Sequence, residues 1–360
     1  MKAMRPVLIM AGGTGGHVFP ALAVAEKLRE WNVPVAWLGT RQGLEARVIP
    51  PTGIPVHWMR VKGLRGKNIM RLFVAPFMLF WAMLQAFWIM IRVRPVAVLG
   101  MGGFVTGPGG AAAWVTRRPL LIHEQNSVAG LTNRLLAPLA KIVMVAFPGS
   151  FKQALHAGNP VRSAMLTTKE SNVSYSHTPP RLLVVGGSLG AAVFNERLPA
   201  VLAKFSKAPV DVWHQTGLKN IDSATKAYSQ AGVKARVDAF IDDMDAAYTW
   251  ADLVLCRAGA MTVAELAVKG LPSILVPYPY AVDDHQTGNA GYLSAAGAAV
   301  LLQQSEMTDT ALQEALQLLY DADALRVMAH KARQLALPDA ATTVARQCLK
   351  QAGIATEMLT

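Results

Sequence analysis

Charge is scarce in this chain. Only 16% of its 360 residues are Asp, Glu, Lys or Arg against 52% apolar, which excludes a disordered or fibrous protein. Acids are the scarcer sign, 23 against 35 bases, and the formal net charge is +12. Cysteine is nearly absent. Cys256 and Cys348 stand far apart with no histidine at ligand spacing, so neither a disulfide framework nor a zinc site is available. They read as reduced core thiols of a cytosolic protein. There is no Lys/Arg run and no aromatic nucleic-acid motif, which makes nucleic acid the weaker partner for so basic a chain. Lys2 and Arg5 precede an apolar stretch, but Val7 to Ala11 is too short for a signal-peptide core and runs straight into glycines.

What is present is a basic balance combined with a positive mean hydropathy, pointing to an anionic polymer or an anionic membrane surface. Apolar runs of strand length alternate with helical patterns: Val7–Met10, Val33–Leu38, Val56–Val61, Val96–Leu99, Leu120–His123 and Ile142–Ala146. A polar stretch, Lys169 to Pro180, reads as linker. The alternation then restarts with Leu182–Val185, Val210–His214, Val237–Phe240, Leu253–Cys256, Ser273–Val276 and Ala299–Leu302. Strands apolar on both faces predict parallel sheets covered on both sides, an α/β protein. Strand-then-Gly-Gly occurs at Gly12-Gly13 and again at Gly186-Gly187, about one domain length later. The reading is two Rossmann-like, doubly wound domains, 1–163 and 164–339, facing a cleft, with a helix over 340–354 that is a candidate to pack back on the first.

Glycine at a strand end lets backbone N–H groups approach a phosphate, and the following helix N-terminus adds partial positive charge. Three such loops occur, after Met10, after Leu99 and after Val185. The helix after the first is expected to open near Pro20, and the helix after the third to span about Ala191 to Phe205. A dinucleotide site fits poorly, because Val18 stands where a third glycine belongs and Thr40 and Arg41 where an acidic ribose ligand belongs.

Six motifs together resemble the MurG family of glycosyltransferases. They are Gly12-Gly13-Thr14-Gly15-Gly16-His17, the Gly102-to-Pro108 loop, His123-Glu124-Gln125-Asn126, Gly158-Asn159-Pro160-Val161-Arg162, Gly186-Gly187-Ser188-Leu189-Gly190-Ala191 and Arg257 to Glu265. The resemblance is collinear from about residue 7 to residue 350. It implies a GT-B fold and transfer of N-acetylglucosamine from UDP-N-acetylglucosamine to lipid I, the undecaprenyl-diphosphate-linked MurNAc-peptide, without a cofactor. It further implies that the C-terminal domain holds the donor and the N-terminal domain faces membrane and acceptor. By motif, Ser188 would contact the donor diphosphate and Arg162 would lie in the donor site. Ala260, Met261, Thr262, Val263, Ala264 and Glu265 would open a helix under the nucleotide, with Glu265 on the ribose hydroxyls. Ile241 would meet the uracil through its backbone, and Gln286, with Asn289 nearby, would bind sugar hydroxyls. Thr14, Gly15, Gly16 and Asn126 would complete the site around the transferred sugar. Leu189 and Phe104 depart from family residues with polar side chains.

Inverting transfer to a hydroxyl needs a general base and stabilisation of the departing diphosphate. His17 is the candidate base, since imidazole titrates near working pH; Glu124 or a water is the rival, and His17 bonding only its own loop or the acceptor is the alternative. Asp243-Met244-Asp245 and Asp321-Ala322-Asp323 read as helix caps rather than metal ligands. A UDP-sugar epimerase and a non-catalytic nucleotide-sugar sensor are the competing functions.

From Leu72 to Ile91 only Pro76 and Gln85 are not apolar, long enough to suggest a membrane span. The segment separates two strands assigned to one sheet, however, and a span would place them on opposite sides of the bilayer. A crossover helix, apolar nearly all round and flanked by Arg65, Lys67, Arg71, Arg92 and Arg94, is expected to dock the protein peripherally on the anionic inner face of the cell membrane. Coverage by other protein is the competing account.

Overall fold

The computed structural model describes residues 4–60, 69–166, 175, 177–187, 190–205 and 209–355, with 69–76 as helix backbone alone. The chain forms two compact units, Met1–Arg162 with Pro338–Thr360, and Ser163–Leu337.

The first unit holds a seven-stranded parallel sheet built from β1 (Val7–Met10), β2 (Val35–Thr40), β3 (Val56–Met59), β4 (Ala97–Gly100), β5 (Leu120–Glu124), β6 (Ile142–Val145) and β7 (Leu155–His156). Its order is β3-β2-β1-β4-β5-β6-β7. The second unit has β8 (Arg181–Val185), β9 (Asp211–Gln215), β10 (Ala235–Asp238), β11 (Leu253–Cys256), β12 (Ser273–Leu275) and β13 (Ala299–Leu301), in the order β10-β9-β8-β11-β12-β13. Both orders reverse direction beside the first strand, which makes β1/β4 and β8/β11 the switch points where doubly wound sheets bind ligands. β1, β4 and β11 are buried at every position, and β8 at every position but Arg181, because helices cover both faces.

Several sequence expectations are corrected, β2 among them, which lies two residues later than Val33–Leu38. The helix after β1, α1, spans Gly15–Glu30 and carries Pro20 inside it. It starts early because the Thr14 carbonyl takes the amides of His17 and Val18, at 3.1 and 3.2 Å. Pro20 then leaves the Gly16 carbonyl without its helical donor. β10 lies two residues earlier than Val237–Phe240 and leaves Phe240 exposed. The short exposed strand β7 has no counterpart in the sequence reading.

The remaining helices follow the crossovers. α2 is Glu45–Val48, α3 Ile69–Val93, α4 Thr106–Val115 and α5 Leu131–Leu136. In the second unit α6 is Ala192–Ala203, α7 Ile221–Gln230, α8 Met244–Trp250, α9 Ala260–Lys269 and α10 His285–Ser294. The C-terminal helix Ala340–Gln351 packs on α1, and its Val344, Ala345, Cys348 and Leu349 are fully buried in the first unit's core with Val24 and Leu28. Both cysteines are buried and free, and burial pushes both thiols up, Cys348 to about 12.

β3 and β4 share one sheet, and α3 is their crossover. It packs chiefly on α4 through Ala82, Ala86, Ile89 and Met90, a buried stripe at helical spacing. The opposite side leaves Phe77, Phe80, Trp81, Phe87 and Trp88 exposed. Among the described residues no helix is long and apolar enough to cross a membrane.

Candidate active site

In the first unit the loops after β1 and β4 flank the switch point and are fitted to each other. Met101 N donates to Met10 O at 2.8 Å, and the Trp37 indole donates to Ala11 O at 3.0 Å. Gly103, at φ +87°, approaches so closely that a Cβ would sit 2.3 Å from Gly12 O. Gly102, at φ +97°, faces the His17 ring, and a Cβ there would lie 2.6 Å from Nδ1. Gly102 makes room for the imidazole and Gly103 for the Gly12 backbone; alanine at either meets both a forbidden φ and a clash.

His17 lies in the first turn of α1, not in the preceding loop, and is half-buried. Its Nδ1 is 3.0 Å from Gln125 Oε1. Gln125 is almost fully buried and its Nε2 reaches His123 Nδ1 and His123 O, each at 3.2 Å. His123 Nε2 donates to Gly158 O at 2.8 Å. Burial pushes the His123 pKa down to about 4, against the opposing pull of that carbonyl.

Glu124 points elsewhere. One carboxylate oxygen accepts from Asn126 N at 3.0 Å and Asn126 Nδ2 at 3.5 Å; the other accepts from Gly130 N at 3.0 Å and Asn133 Nδ2 at 2.8 Å. Four donors on a side chain that is 3% exposed describe a brace for the loop ahead of α5. Arg162 stacks its guanidinium over Phe19 of α1, 5.5 Å from the ring centroid. Thr14 is exposed as the residue preceding α1, and Gly15 and Gly16 are its first turn.

A residue the sequence reading missed is Glu45. It is wholly buried, and it accepts from Gly13 N at 2.9 Å, Thr40 N at 2.8 Å and Thr40 Oγ1 at 2.7 Å. Buried as it is, five positions after Thr40, it is no ribose ligand; it holds the glycine loop. Its only sequence signal is an isolated acid just past a strand end.

In the second unit α9 opens with Ala260, Met261 and Thr262, whose amides have no helical acceptor. Val263 and Ala264 follow, and Glu265, 7% exposed, accepts from the Tyr248 hydroxyl at 3.2 Å. Ile241 is buried just past β10. Gln286 stands in the first turn of α10, its Oε1 taking Tyr278 N at 2.9 Å. Asp283 and Asp284, both in the left-handed region at φ 52° and 48°, turn the chain into that helix. Asn289 is fully buried and donates to Ala258 O at 3.1 Å, fastening α10 to the loop after β11. Arg257, also unassigned from sequence, donates to Val276 O, Pro277 O and Gln304 Oε1 and lies against Phe194 and Tyr278. Ser188 and Leu189 lie outside the described residues. Asp243 and Asp321 cap their helices through Ala246 N and Ala324 N, each at 2.9 Å.

A second buried imidazole, His214 of β9, bonds the Tyr228 hydroxyl at 2.9 Å and is held down to about 3 by burial. The unfolded chain protonates these histidines near 6.5, the folded chain only near 4 and 3, so the stability they support is complete above about 6.5 and is lost as pH falls. Acidification from pH 7 to pH 4.5 is expected to cost about 3 kcal/mol per histidine. Urea midpoints at the two pH values test this, and His214→Phe should blunt the loss in the second unit. A midpoint independent of pH would contradict it.

Two parallel sheets of this order in one chain, with glycine turns at both switch points, are the paired Rossmann-like domains of a GT-B fold. The N-terminal domain model of glycosyltransferase family 28 matches residues 7–145, and the C-terminal domain model of the same family matches 181–344. The chain belongs to glycosyltransferase family 28. It is 57% identical, over 96% of its length and 99% of the relative's, to the UDP-N-acetylglucosamine–N-acetylmuramyl-(pentapeptide) pyrophosphoryl-undecaprenol N-acetylglucosamine transferase of Alkalilimnicola ehrlichii. The protein of the same description from Nitrosococcus oceani is 53% identical over 96% of this chain and 98% of its own. The crystal structure of MurG from Acinetobacter baumannii superposes with a TM-score of 0.85 at 42% identity, covering 96% of this chain and 99% of that one.

Proposed function

We propose that this chain transfers N-acetylglucosamine from UDP-N-acetylglucosamine to the C4 hydroxyl of the MurNAc unit of lipid I, with inversion, to give lipid II. The observation that carries this is the 57% identity to a transferase of that description across 96% of the chain, both units included. An epimerase reading would rest on shared fold alone.

The chemistry follows from the strand-end groups. The acceptor hydroxyl gives its proton to His17 Nε2 as its oxygen bonds to the anomeric carbon. The carbon–oxygen bond to the diphosphate breaks, and its electron pair leaves with UDP. The charge on that leaving group is met by backbone amides of the loop at Ser188, with Arg162 assisting, and by the first turn of α9 near the nucleotide. Glu265 takes the ribose hydroxyls, with Tyr248 fixing the second carboxylate oxygen. Ile241 presents its backbone to uracil. Gln286, its carbonyl committed to Tyr278, offers its amide N–H to the sugar. Thr14, Gly15, Gly16 and Asn126 contact the transferred sugar, and Glu124 holds Asn126 in place. No metal has a role in this scheme. Incubation with UDP-N-acetylglucosamine and a lipid I analogue should release UDP at the same rate with and without EDTA; no release, or EDTA sensitivity, would overturn the corresponding part.

The α3 face docks on the anionic inner leaflet as a peripheral contact. Phe77, Phe80, Trp81 and Trp88 are 58–76% exposed, and Arg92 lies over the Trp88 ring. Trp114 at the end of α4 and Leu131 and Leu135 on α5 are exposed as well, with Arg134 between the last two in sequence. Aromatic rings with flanking cations suit the lipid headgroup boundary. Arg65 and Lys67 lie outside the described residues, as does the Arg71 side chain. Co-sedimentation with phosphatidylglycerol vesicles should exceed that with phosphatidylcholine, and Phe80→Ser with Trp81→Ser should weaken it by about tenfold or more. Equal failure to bind both vesicle types at low and high salt would sink the docking face.

A further inference from the structure

We propose that Gln125 and His123 form a relay, anchored on the Gly158 carbonyl, that fixes the His17 imidazole in its Nδ1–H tautomer and leaves Nε2 bare toward the acceptor hydroxyl. The proposal rests on His17 being the base, and assigns Gln125 and His123 as positioning residues rather than catalytic ones.

The direction of every hydrogen bond follows from the end of the chain. A backbone carbonyl only accepts, so His123 Nε2, 2.8 Å from Gly158 O, carries a hydrogen. His123 is completely buried, and burial keeps it neutral to about pH 4, so its Nδ1 is an acceptor. The group facing that nitrogen must donate. Gln125 therefore turns its Nε2 inward, where one amide hydrogen meets His123 Nδ1 and the other meets His123 O, each at 3.2 Å. The second carbonyl fixes the amide independently, since Gln125 Oε1 in that place would face another oxygen. With Nε2 committed, Oε1 faces outward and accepts from His17 Nδ1 at 3.0 Å. The donor on His17 is thereby Nδ1–H, and its other ring nitrogen keeps its lone pair.

The three buried groups reach His17 without supplying a charge. A carboxylate in the place of Gln125 would stabilise the imidazolium as well as orient the ring; an amide orients it and leaves its basicity to the surroundings. Gly102 contributes the space, because a side chain there would push the ring off the Gln125 carbonyl.

The test is the nitrogen NMR spectrum of the protein labelled with 15N-histidine, with the His17 signals among the 8 histidines assigned by their loss in His17→Ala. At pH 8 the wild-type protein should show a protonated Nδ1 and a bare Nε2 at His17. A protonated Nε2 in that spectrum overturns the relay without recourse to a variant. Gln125→Ala should mix the two tautomers and lower kcat by about 10- to 100-fold, with KM for UDP-N-acetylglucosamine changed less than about twofold. An unchanged tautomer and an unchanged kcat in Gln125→Ala would also overturn it. If the tautomer is as stated and shifts in Gln125→Ala while His17→Ala retains full turnover, the relay stands and the assignment of His17 as base falls.

Discussion

His17→Ala is expected to lower turnover by about 10²- to 10⁴-fold, the usual contribution of a positioned general base. Binding of UDP-N-acetylglucosamine, measured by calorimetry, should stay within about twofold. The separation follows from placement: His17 belongs to the β1/β4 switch point of the first unit, whereas the groups proposed for the nucleotide belong to α9 and α10 of the second. The substitution also removes little from the fold, because the imidazole is half-buried and its one described bond is to Gln125. A lost activity accompanied by lost donor binding would move His17 from proton transfer to substrate holding. Unchanged turnover would remove it from the mechanism.

The companion substitution, Glu124→Gln, should act on stability first. The carboxylate accepts four hydrogen bonds, and an amide nitrogen in place of either oxygen would face donors rather than acceptors. Leaving buried donors unmatched costs about 1–3 kcal/mol each, so with two donors on either oxygen a loss of about 2–6 kcal/mol is expected. Activity should fall with the order of the Glu124–Gly130 loop, while the acid limb of the kcat/KM profile keeps its midpoint. If Glu124→Gln is as stable as wild type and the acid limb disappears, Glu124 is the base. The two variants together therefore separate the rival assignments by readout and not only by size of effect.

Most of the fold could be read from the sequence because its strands are buried on both faces. Val7–Met10 and Leu253–Cys256 are uninterrupted apolar runs, and their ends coincide with those of β1 and β11. Where one face is open that signal fades. β10, at a sheet edge with Arg236 exposed, was displaced in the reading, and the two exposed residues of β7 have no apolar run at all. The position of His17 was evident from its glycine motif, but the start of α1 was not, since proline statistics favoured Pro20 over the backbone turn at Thr14. The bracing role of Glu45 and the contact of Gln125 with His17 could not be read for another reason. Glu45 meets Gly13 across 32 residues and Gln125 meets His17 across 108, and no local pattern encodes a contact that only the folded sheet creates.

The return of the C-terminal helix to α1 has a practical consequence for taking the protein apart. The first unit is not one continuous segment: its core is completed by Val344, Ala345, Cys348 and Leu349, contributed after the chain has built the second unit. A fragment ending at Arg162 would present the apolar side of α1 to water, and a fragment beginning at Ser163 would carry an unpartnered amphipathic tail. Dissection of donor binding from acceptor binding therefore calls for a first-unit fragment with residues 338–355 fused or supplied in trans, and a second-unit fragment that stops at Leu337.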